Sequence, residues 1–305
     1  MSPIQNRILI ADGLNTEIIQ ELKKLTHIKL HDKSKYGRDE IIALGNSIDI
    51  LIVRSATKVD EELIKQLPHL KMVIRAGEGM DNIDKNYCEK KNITALNTPG
   101  ANGNAAAELA IALMFNLARK INPADLSMKQ GKWDKSKFVG CEITNKKIGI
   151  IGFGKIGQTI AKRLSGFNPE ISYFDPTRND SAPNIKKVET LDEIFQKCDF
   201  ITLHLPFMES TKNLITKKYF EQMKPSAYLI NCARGGIVNE SDLLWALENK
   251  KFAGAALDVF DQEPLPENSP LRKCEQLVLT PHLGASSLEA EIRVGLMVLE
   301  IIKNS

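Results

Sequence analysis

The chain has 305 residues, which is room for two domains of ordinary size. Its 43% hydrophobic and 26% charged residues exclude general disorder. Lys+Arg exceed Asp+Glu by only 41 − 38 = +3, so the charge balance excludes a strongly basic nucleic-acid surface. The most apolar stretch, Leu109 to Ala118, includes Asn116 and is half the ~20 residues that a membrane span needs. The start, Met1-Ser2-Pro3-Ile4-Gln5-Asn6-Arg7, lacks the layout of a secretory leader. Cys88, Cys141, Cys198, Cys232 and Cys274 form no CxxC, which suits a reducing compartment and offers no zinc spacing. His27 and His31 are four apart, but the alternation over 26–31 reads as a strand end, not a metal site. The expectation is a soluble cytoplasmic protein with no membrane and no nucleic-acid partner.

Strands and helices alternate from end to end. A buried strand is predicted over 7–11, an amphipathic helix from Asn15 to about Leu25, and a short strand over 28–30. A helix from Asp39, an apolar strand over 48–53 and a helix over about 60–67 follow. Strands at 71–75 and 93–96 close this block. Such short apolar runs between helices predict a parallel sheet covered on both faces, in a doubly wound α/β fold. Thr98-Pro99-Gly100-Ala101-Asn102-Gly103 is the main break. Residues 104–121 then read as one long helix, apolar on most faces. It must lie between layers, between domains or in a dimer interface. A second α/β series starts at Lys146, with strands inside 146–154, 170–175, 199–206, 227–235, 252–260 and 276–283. A last helix runs from Ser287 to about Ile302 and is expected to return to the first block. The expected domains are therefore 1–97 plus 283–305, and 98–282.

Gly152-Phe153-Gly154-Lys155-Ile156-Gly157 follows a strand directly and opens a helix. Gly152 permits the tight turn, Gly154 lets backbone approach a pyrophosphate, and Gly157 lets helix and strand pack closely. The helix N-terminus then offers N–H groups and a positive dipole end to the phosphates. Asp175 ends the next strand, 18 residues past Gly157. An acid there accepts from both ribose hydroxyls and repels a 2′-phosphate, so NAD is favoured over NADP. Arg178 nearby weakens that discrimination slightly.

Arg234, Glu263 and His282 each follow a strand of the second series. In doubly wound sheets, ligands bind beyond the carboxyl ends of strands. Arginine binds a carboxylate with a bidentate fork. A histidine can take a hydroxyl proton as a hydride leaves, and a carboxylate beside it holds the imidazole. Each residue alone has an ordinary structural reading; their order behind a dinucleotide fingerprint favours the chemical one.

These residues, with His204-Leu205-Pro206 and Thr211, NCARGGIVNE (231–240), ALDVFDQEP (256–264) and TPHLGAS from Thr280, give the chain its resemblance. It resembles the D-isomer-specific 2-hydroxyacid dehydrogenases over nearly its whole length. The resemblance implies a flavodoxin-like substrate domain and a Rossmann NAD domain. It implies that Arg234 binds the substrate carboxylate and C2 oxygen, that Glu263 pairs with the histidine, and that His282 is the acid/base. Gly152, Gly154, Lys155, Ile156, Gly157 and Asp175 are implied to bind NAD. So are the His204–Pro206 stretch and Thr211. Asp258 is expected to meet the nicotinamide carboxamide. Cys232, Ala233, Gly284 and Ala285 are expected to line the cofactor site, which makes Cys232 a wall and not a nucleophile.

Within that family the first block is most similar to the D-3-phosphoglycerate dehydrogenases, through RSATKV (54–59), RAGEGMDNID (75–84) and Asn97-Thr98-Pro99. This implies that 3-phosphoglycerate is oxidised to 3-phosphohydroxypyruvate, the entry to serine. Arg54 is placed to meet the phosphate, with Arg75 nearby. The loop through Gly77, Glu78 and Gly79 would offer N–H groups to the carboxylate. Glu78 departs from the family's small polar residue and is expected to point outward. Asn168-Pro169-Glu170 departs from the usual Gly-Met turn. Other expected readings are a glyoxylate/hydroxypyruvate reductase, a D-lactate dehydrogenase, or an NAD-sensing binding protein like the C-terminal-binding corepressors. A homodimer through the NAD domain is implied. The 23 residues after His282 leave the expectation of a short form without a regulatory domain.

Overall fold

The computed structural model describes residues 6–33, 35–179 and 184–305. Internal contacts divide the chain into two units. One runs to Asn102 and resumes at Ala285; the other is Gly103–Gly284. The crossings thus fall five and two residues beyond the boundaries expected from sequence.

The first unit is a five-stranded parallel sheet. Its strands are β1 (Asn6–Ile10), β2 (Ile28–Asp32), β3 (Ile50–Val53), β4 (Met72–Arg75) and β5 (Thr94–Asn97), in the order β2-β1-β3-β4-β5. Successive side chains of a strand point to opposite faces, so an all-apolar strand needs two covered faces. Ile8, Ile10, Ile50 and Ile52 meet Ile18 and Leu22 of α1 (Thr16–Lys23) on one side. Leu9, Leu51 and Val53 meet Ile41 of α2 (Arg38–Ala43), Leu63 of α3 (Glu61–Lys65) and Tyr87 of α4 (Lys85–Lys90) on the other. The C-terminal helix, Leu288–Lys303, belongs here: Val294, Val298, Leu299 and Ile302 share the cluster of Ile18 and Leu22. Ser287 starts that helix, its hydroxyl accepting from Ala290 N at 3.2 Å.

The second unit opens with α5 (Gly103–Arg119) and α6 (Ile121–Lys129). The helix expected over 104–121 ends at Arg119, and α6 was not foreseen. The break has a clear cause: Pro123 has no N–H to give Arg119, and its ring would strike that carbonyl. Lys120 turns left-handed, at φ 52°, and α6 begins afresh. The inner face of α5 (Ala107, Ala110, Leu113, Met114, Leu117) lies in the unit's own core.

The sheet has seven parallel strands: β6 (Lys147–Ile151), β7 (Glu170–Phe174), β8 (Ile185–Lys187), β9 (Phe200–Leu203), β10 (Tyr228–Asn231), β11 (Gly254–Leu257) and β12 (Leu277–Leu279). Their order is β12-β11-β10-β9-β6-β7-β8, so the order reverses at β6 and β9. Helices α7 (Lys155–Leu164), α8 (Leu191–Lys197), α9 (Lys217–Phe220) and α10 (Glu240–Glu248) complete the unit. Sequence reading missed β8, whose residues Ile-Lys-Lys form no apolar run. Asn168 fills its glycine-like turn at φ 49°, its amide donating to Asn145 Oδ1 at 3.0 Å. Among the described residues no helix is long and apolar enough to cross a membrane.

One buried ion pair in the first unit carries a pH signature. Asp49, 5% exposed, accepts from Arg7 Nε at 2.7 Å, from Nη2 at 3.1 Å and from Arg7 N at 2.9 Å. Those bonds hold its carboxyl down to about 2, from an ordinary 3.8. A lowered folded value stabilises above the unfolded value and is lost as pH falls through the folded one. Asp49→Asn is expected to cost about 2 kcal/mol at pH 7 in urea unfolding. The two proteins should converge as pH drops from 4 towards 2. A gap that persists at pH 2 would assign the loss to packing instead.

Candidate active site

In the second unit, β6 ends at Ile151 and the chain turns through Gly152 at φ +90°. A β-carbon on Gly152 would lie 2.3 Å from His204 O; one on Gly157 would lie 2.5 Å from Gly152 O. Both glycines are demanded by backbone contact. Gly154 differs: it sits at an ordinary φ of −72°, and a β-carbon there would meet nothing within 4 Å. Gly154 therefore keeps open a space in front of α7, whose N-terminus no side chain caps. Lys155 is exposed at that end, and Ile156 packs inward beside the α5 cluster. Asp175, just past β7, accepts from Phe153 N at 2.8 Å and from Thr177 N at 2.9 Å. Burial pushes its carboxyl up, but these bonds and the Arg178 charge outweigh burial and hold it below the ordinary value. It is an ionised acid that also pins the glycine loop, a task not evident from sequence.

His204 follows β9. Its Nε2 lies 2.7 Å from Thr202 Oγ1, and burial drives its imidazole down to about 3, so it is neutral. Its Nδ1 is buried with no hydrogen-bond partner, a polar atom left over at the sheet edge. The Thr211 hydroxyl donates to Pro206 O at 2.8 Å and accepts from Met208 N at 2.8 Å. Its bonding capacity goes to its own loop, and it thereby fixes Leu205 and Pro206.

Past β10, Asn231 Oδ1 accepts from Ala233 N at 3.0 Å and its Nδ2 donates to Arg234 O at 3.2 Å. That brace shapes the turn carrying Cys232, Ala233 and Arg234. Cys232 is buried; burial, then the Asp258 charge, pushes its thiol up. It is no thiolate nucleophile. Arg234 Nη1 donates to Ala233 O at 2.7 Å.

The central pair is Glu263 and His282. His282 Nδ1 lies 2.6 Å from Glu263 Oε2, and each side chain is 33% exposed. Glu263 Oε1 also accepts from Phe260 N at 3.1 Å. Burial raises the Glu263 carboxyl, but the hydrogen bond and charge of His282 outweigh it and bring it below the ordinary value. An ionised Glu263 therefore accepts the Nδ1–H and leaves Nε2 for proton transfer. His282 itself sits at φ +55°. Asp258 sustains that backbone: Oδ1 accepts from Thr280 Oγ1 and Leu283 N, each at 2.7 Å, and Oδ2 from Gly284 N at 2.8 Å. The Asp258 carbonyl accepts from His282 N at 2.9 Å. Sequence reading gave Asp258 a cofactor contact alone; the structure adds this bracing of the histidine turn. Ala285, expected to line the cofactor site, counts by its contacts with the first unit.

In the first unit, Arg54 follows β3. Its N–H and that of Thr57 donate to Asp12 Oδ2 at 2.6 and 3.1 Å. Asn82 Nδ2 donates to Arg54 O at 2.7 Å and Thr57 O at 2.6 Å. The Thr57 hydroxyl also donates to Asp12 Oδ1 at 2.6 Å; neither Asp12 nor Asn82 was singled out from sequence, since most of their partners are backbone atoms. Arg75 Nη1 donates to Ala76 O at 3.1 Å, and its guanidinium covers Gly77 where a β-carbon would have no room. Glu78 corrects an expectation. It does not point outward: its Oε2 accepts from Gly100 N, while Asn97 Nδ2 donates to Glu78 O at 2.6 Å. A main-chain donor takes up its charge. Gly79, next in the loop, is half-buried.

The profile described as D-isomer specific 2-hydroxyacid dehydrogenase, NAD binding domain, matches residues 111–284. The chain belongs to that family. A D-3-phosphoglycerate dehydrogenase of Archaeoglobus fulgidus is 40% identical over 300 residues, covering 98% of this chain and 57% of that protein. A hydroxypyruvate reductase of Thermotoga maritima is also 40% identical, over 299 residues and 97% of each chain. A solved NAD-dependent formate dehydrogenase of Staphylococcus aureus, in complex with NAD, has a TM-score of 0.88 at 29% identity and covers 98% of this chain and 95% of its own. The chain spans little more than half the length of several curated relatives it matches. The second unit is thus this dehydrogenase family's NAD-binding domain, and its residues fit the dinucleotide. Gly154 would leave the space, α7 would supply N–H groups, and Asp175 would supply the ribose acceptor.

Gly154→Val should therefore leave thermal unfolding nearly unchanged and weaken NADH binding by at least about tenfold in a fluorescence titration. Gly152→Ala should instead lower stability by about 1–3 kcal/mol. Full NADH affinity in Gly154→Val would place the pyrophosphate elsewhere.

Proposed function

We propose that this chain oxidises D-3-phosphoglycerate to 3-phosphohydroxypyruvate with NAD, the first step of the phosphorylated route to serine. The observation that carries the reading is the 2.6 Å Glu263–His282 bond, set beside Arg234 in the NAD-binding unit. NAD, when bound, supplies the hydride acceptor. His282 Nε2 takes the C2 hydroxyl proton, and the ionised Glu263 holds the imidazolium that results. Arg234 binds the substrate carboxylate and steadies charge on the C2 oxygen. The N–H groups of the loop through Gly77 and Gly79 serve the same carboxylate, and Arg54, with Arg75 near, serves the phosphate. Glu263 stays ionised through neutral pH because its folded value is depressed. Its hold on His282 is lost only as pH falls through that depressed value.

A second reading, hydroxypyruvate reduction, is favoured by the Thermotoga relative, which matches at the same identity over its whole length. Both readings use the same trio and differ at the third carbon of the substrate. We also propose a homodimer through the NAD-binding unit. Ile121, Leu126, Met128, Trp133 and Val139 are each at least half exposed on and after α6, Trp133 by 80%. The free cysteines suit a cytoplasmic setting.

His282→Ala should lower kcat about 10²- to 10⁴-fold while NADH still binds. Arg54→Ala should raise KM for 3-phosphoglycerate at least about tenfold and that for glycerate far less. Near-normal turnover of the first variant, or equal effects of the second on both substrates, would refute the respective roles. Sedimentation should show a dimer at micromolar concentration, weakened by Trp133→Glu; a wild-type monomer would remove the interface.

A further inference from the structure

The first unit places a carboxylate on the arginine that the proposed function assigns to the phosphate. Glu291 Oε1 lies 3.5 Å from Arg54 Nη1, with side chains 36% and 34% exposed. The two residues are 237 apart in sequence and meet because the C-terminal helix packs in the same cluster as Ile50 and Ile52 of β3. The Arg54 backbone is not free to answer this contact. Its N–H is held by Asp12 and its carbonyl by Asn82. Only the guanidinium can choose between Glu291 and another anion.

We propose that Glu291 is a specificity-determining residue that sets how much negative charge the Arg54 position accepts. This rests on Arg54 as the reader of the substrate phosphate. A phosphate dianion that approaches Arg54 meets a carboxylate already there. It must share the guanidinium or displace Glu291, and it is repelled in either case. A substrate with no charge at that carbon meets neither effect. Glu291 thus biases the enzyme away from phosphorylated substrates, against the attraction of Arg54. A purely structural alternative exists: Glu291 lies in the first turn of the C-terminal helix, where a negative charge favours the helix. That role would change stability and leave substrate preference alone.

The test compares reduction of 3-phosphohydroxypyruvate and hydroxypyruvate by NADH at low ionic strength, where screening is weakest. The readout is the ratio of kcat/KM for the phosphorylated over the unphosphorylated substrate. Glu291→Gln keeps the side chain's shape and removes its charge, and should raise this ratio about threefold or more. Glu291→Asp keeps the charge and should stay nearer the wild-type ratio. Arg54→Ala should lower the ratio. If Arg54→Ala leaves it unchanged, Arg54 does not read phosphate and the underlying reading fails, taking the inference with it. If Arg54→Ala lowers the ratio but Glu291→Gln does not raise it, the reading stands and the inference about Glu291 is wrong. A ratio that falls in Glu291→Gln, or a change in melting temperature with no change in ratio, likewise overturns it.

Discussion

The register of the seven-stranded sheet sets the position of most of the chemistry. Ile151 pairs with Phe174 and Leu203, Leu203 with Asn231, Asn231 with Leu257, and Leu257 with Leu279. These six residues end six neighbouring strands in one row. Because all the strands are parallel, the next residue of each comes off the same edge at the same level. Those next residues are Gly152, Asp175, His204, Cys232, Asp258 and Thr280. The glycine turn, the acid proposed for the ribose and the bracing of the histidine are thus aligned by backbone pairing. A one-residue slip in any strand would swap its side chains between two differently packed faces, so the core itself opposes a change of alignment.

The histidine turn shows how such an edge tolerates strain. A non-glycine residue in the left-handed region costs about 1–2 kcal/mol. His282 occupies that region, and the bonds that hold it converge on Asp258. Three hydrogen bonds to the Asp258 carboxylate tie down the residues on either side of His282. Burial opposes this: it raises the Asp258 carboxyl, and the bonds from Thr280, Leu283 and Gly284 pull the other way without fully compensating. The acid remains worth burying because it fixes where the imidazole points. Glu263 then needs only to select the tautomer. The work is divided between two carboxylates, one acting on the backbone of His282 and one on its ring.

Much of this was legible in the sequence, and the exceptions share a cause. Gly152, Gly154 and Gly157 announce themselves because only glycine satisfies a backbone that approaches within 2.5 Å or a surface that must stay open. Arg234, Glu263 and His282 stand out as charged or titratable residues in the loops that follow apolar strands. Asp12, Asn82 and Asn231 do not, although they shape the loops of Arg54 and Arg234. Apart from the Thr57 hydroxyl on Asp12, their partners are main-chain N–H and C=O groups, which every residue carries, so residue type rarely marks the other end of the bond. Glu78 misled for the same reason, since its partner is the N–H of Gly100, 22 positions on. Strand β8 was missed because an edge strand of three residues needs no apolar run. Helix α6 was not foreseen, because the apolar run that marks a helix here ends with α5.

The division of labour between the units bears on why relatives with different names match equally well. In the proposed function the trio and the glycine loop act on C2, its hydrogen and the dinucleotide, all of which 3-phosphoglycerate and hydroxypyruvate chemistry share. Nothing in that set senses the third carbon. Discrimination must therefore lie in the few groups that can, and charge is the largest difference available: a phosphate dianion against a hydroxyl. In the proposed reading Arg54 favours the dianion and Glu291 opposes it, with both partly exposed so that neither effect is large. A pair of this kind shifts preference by modest factors with no change to the fold or to the reacting groups. Substrate choice can then diverge among chains whose NAD-binding units are chemically alike, and overall identity is a poor guide to it.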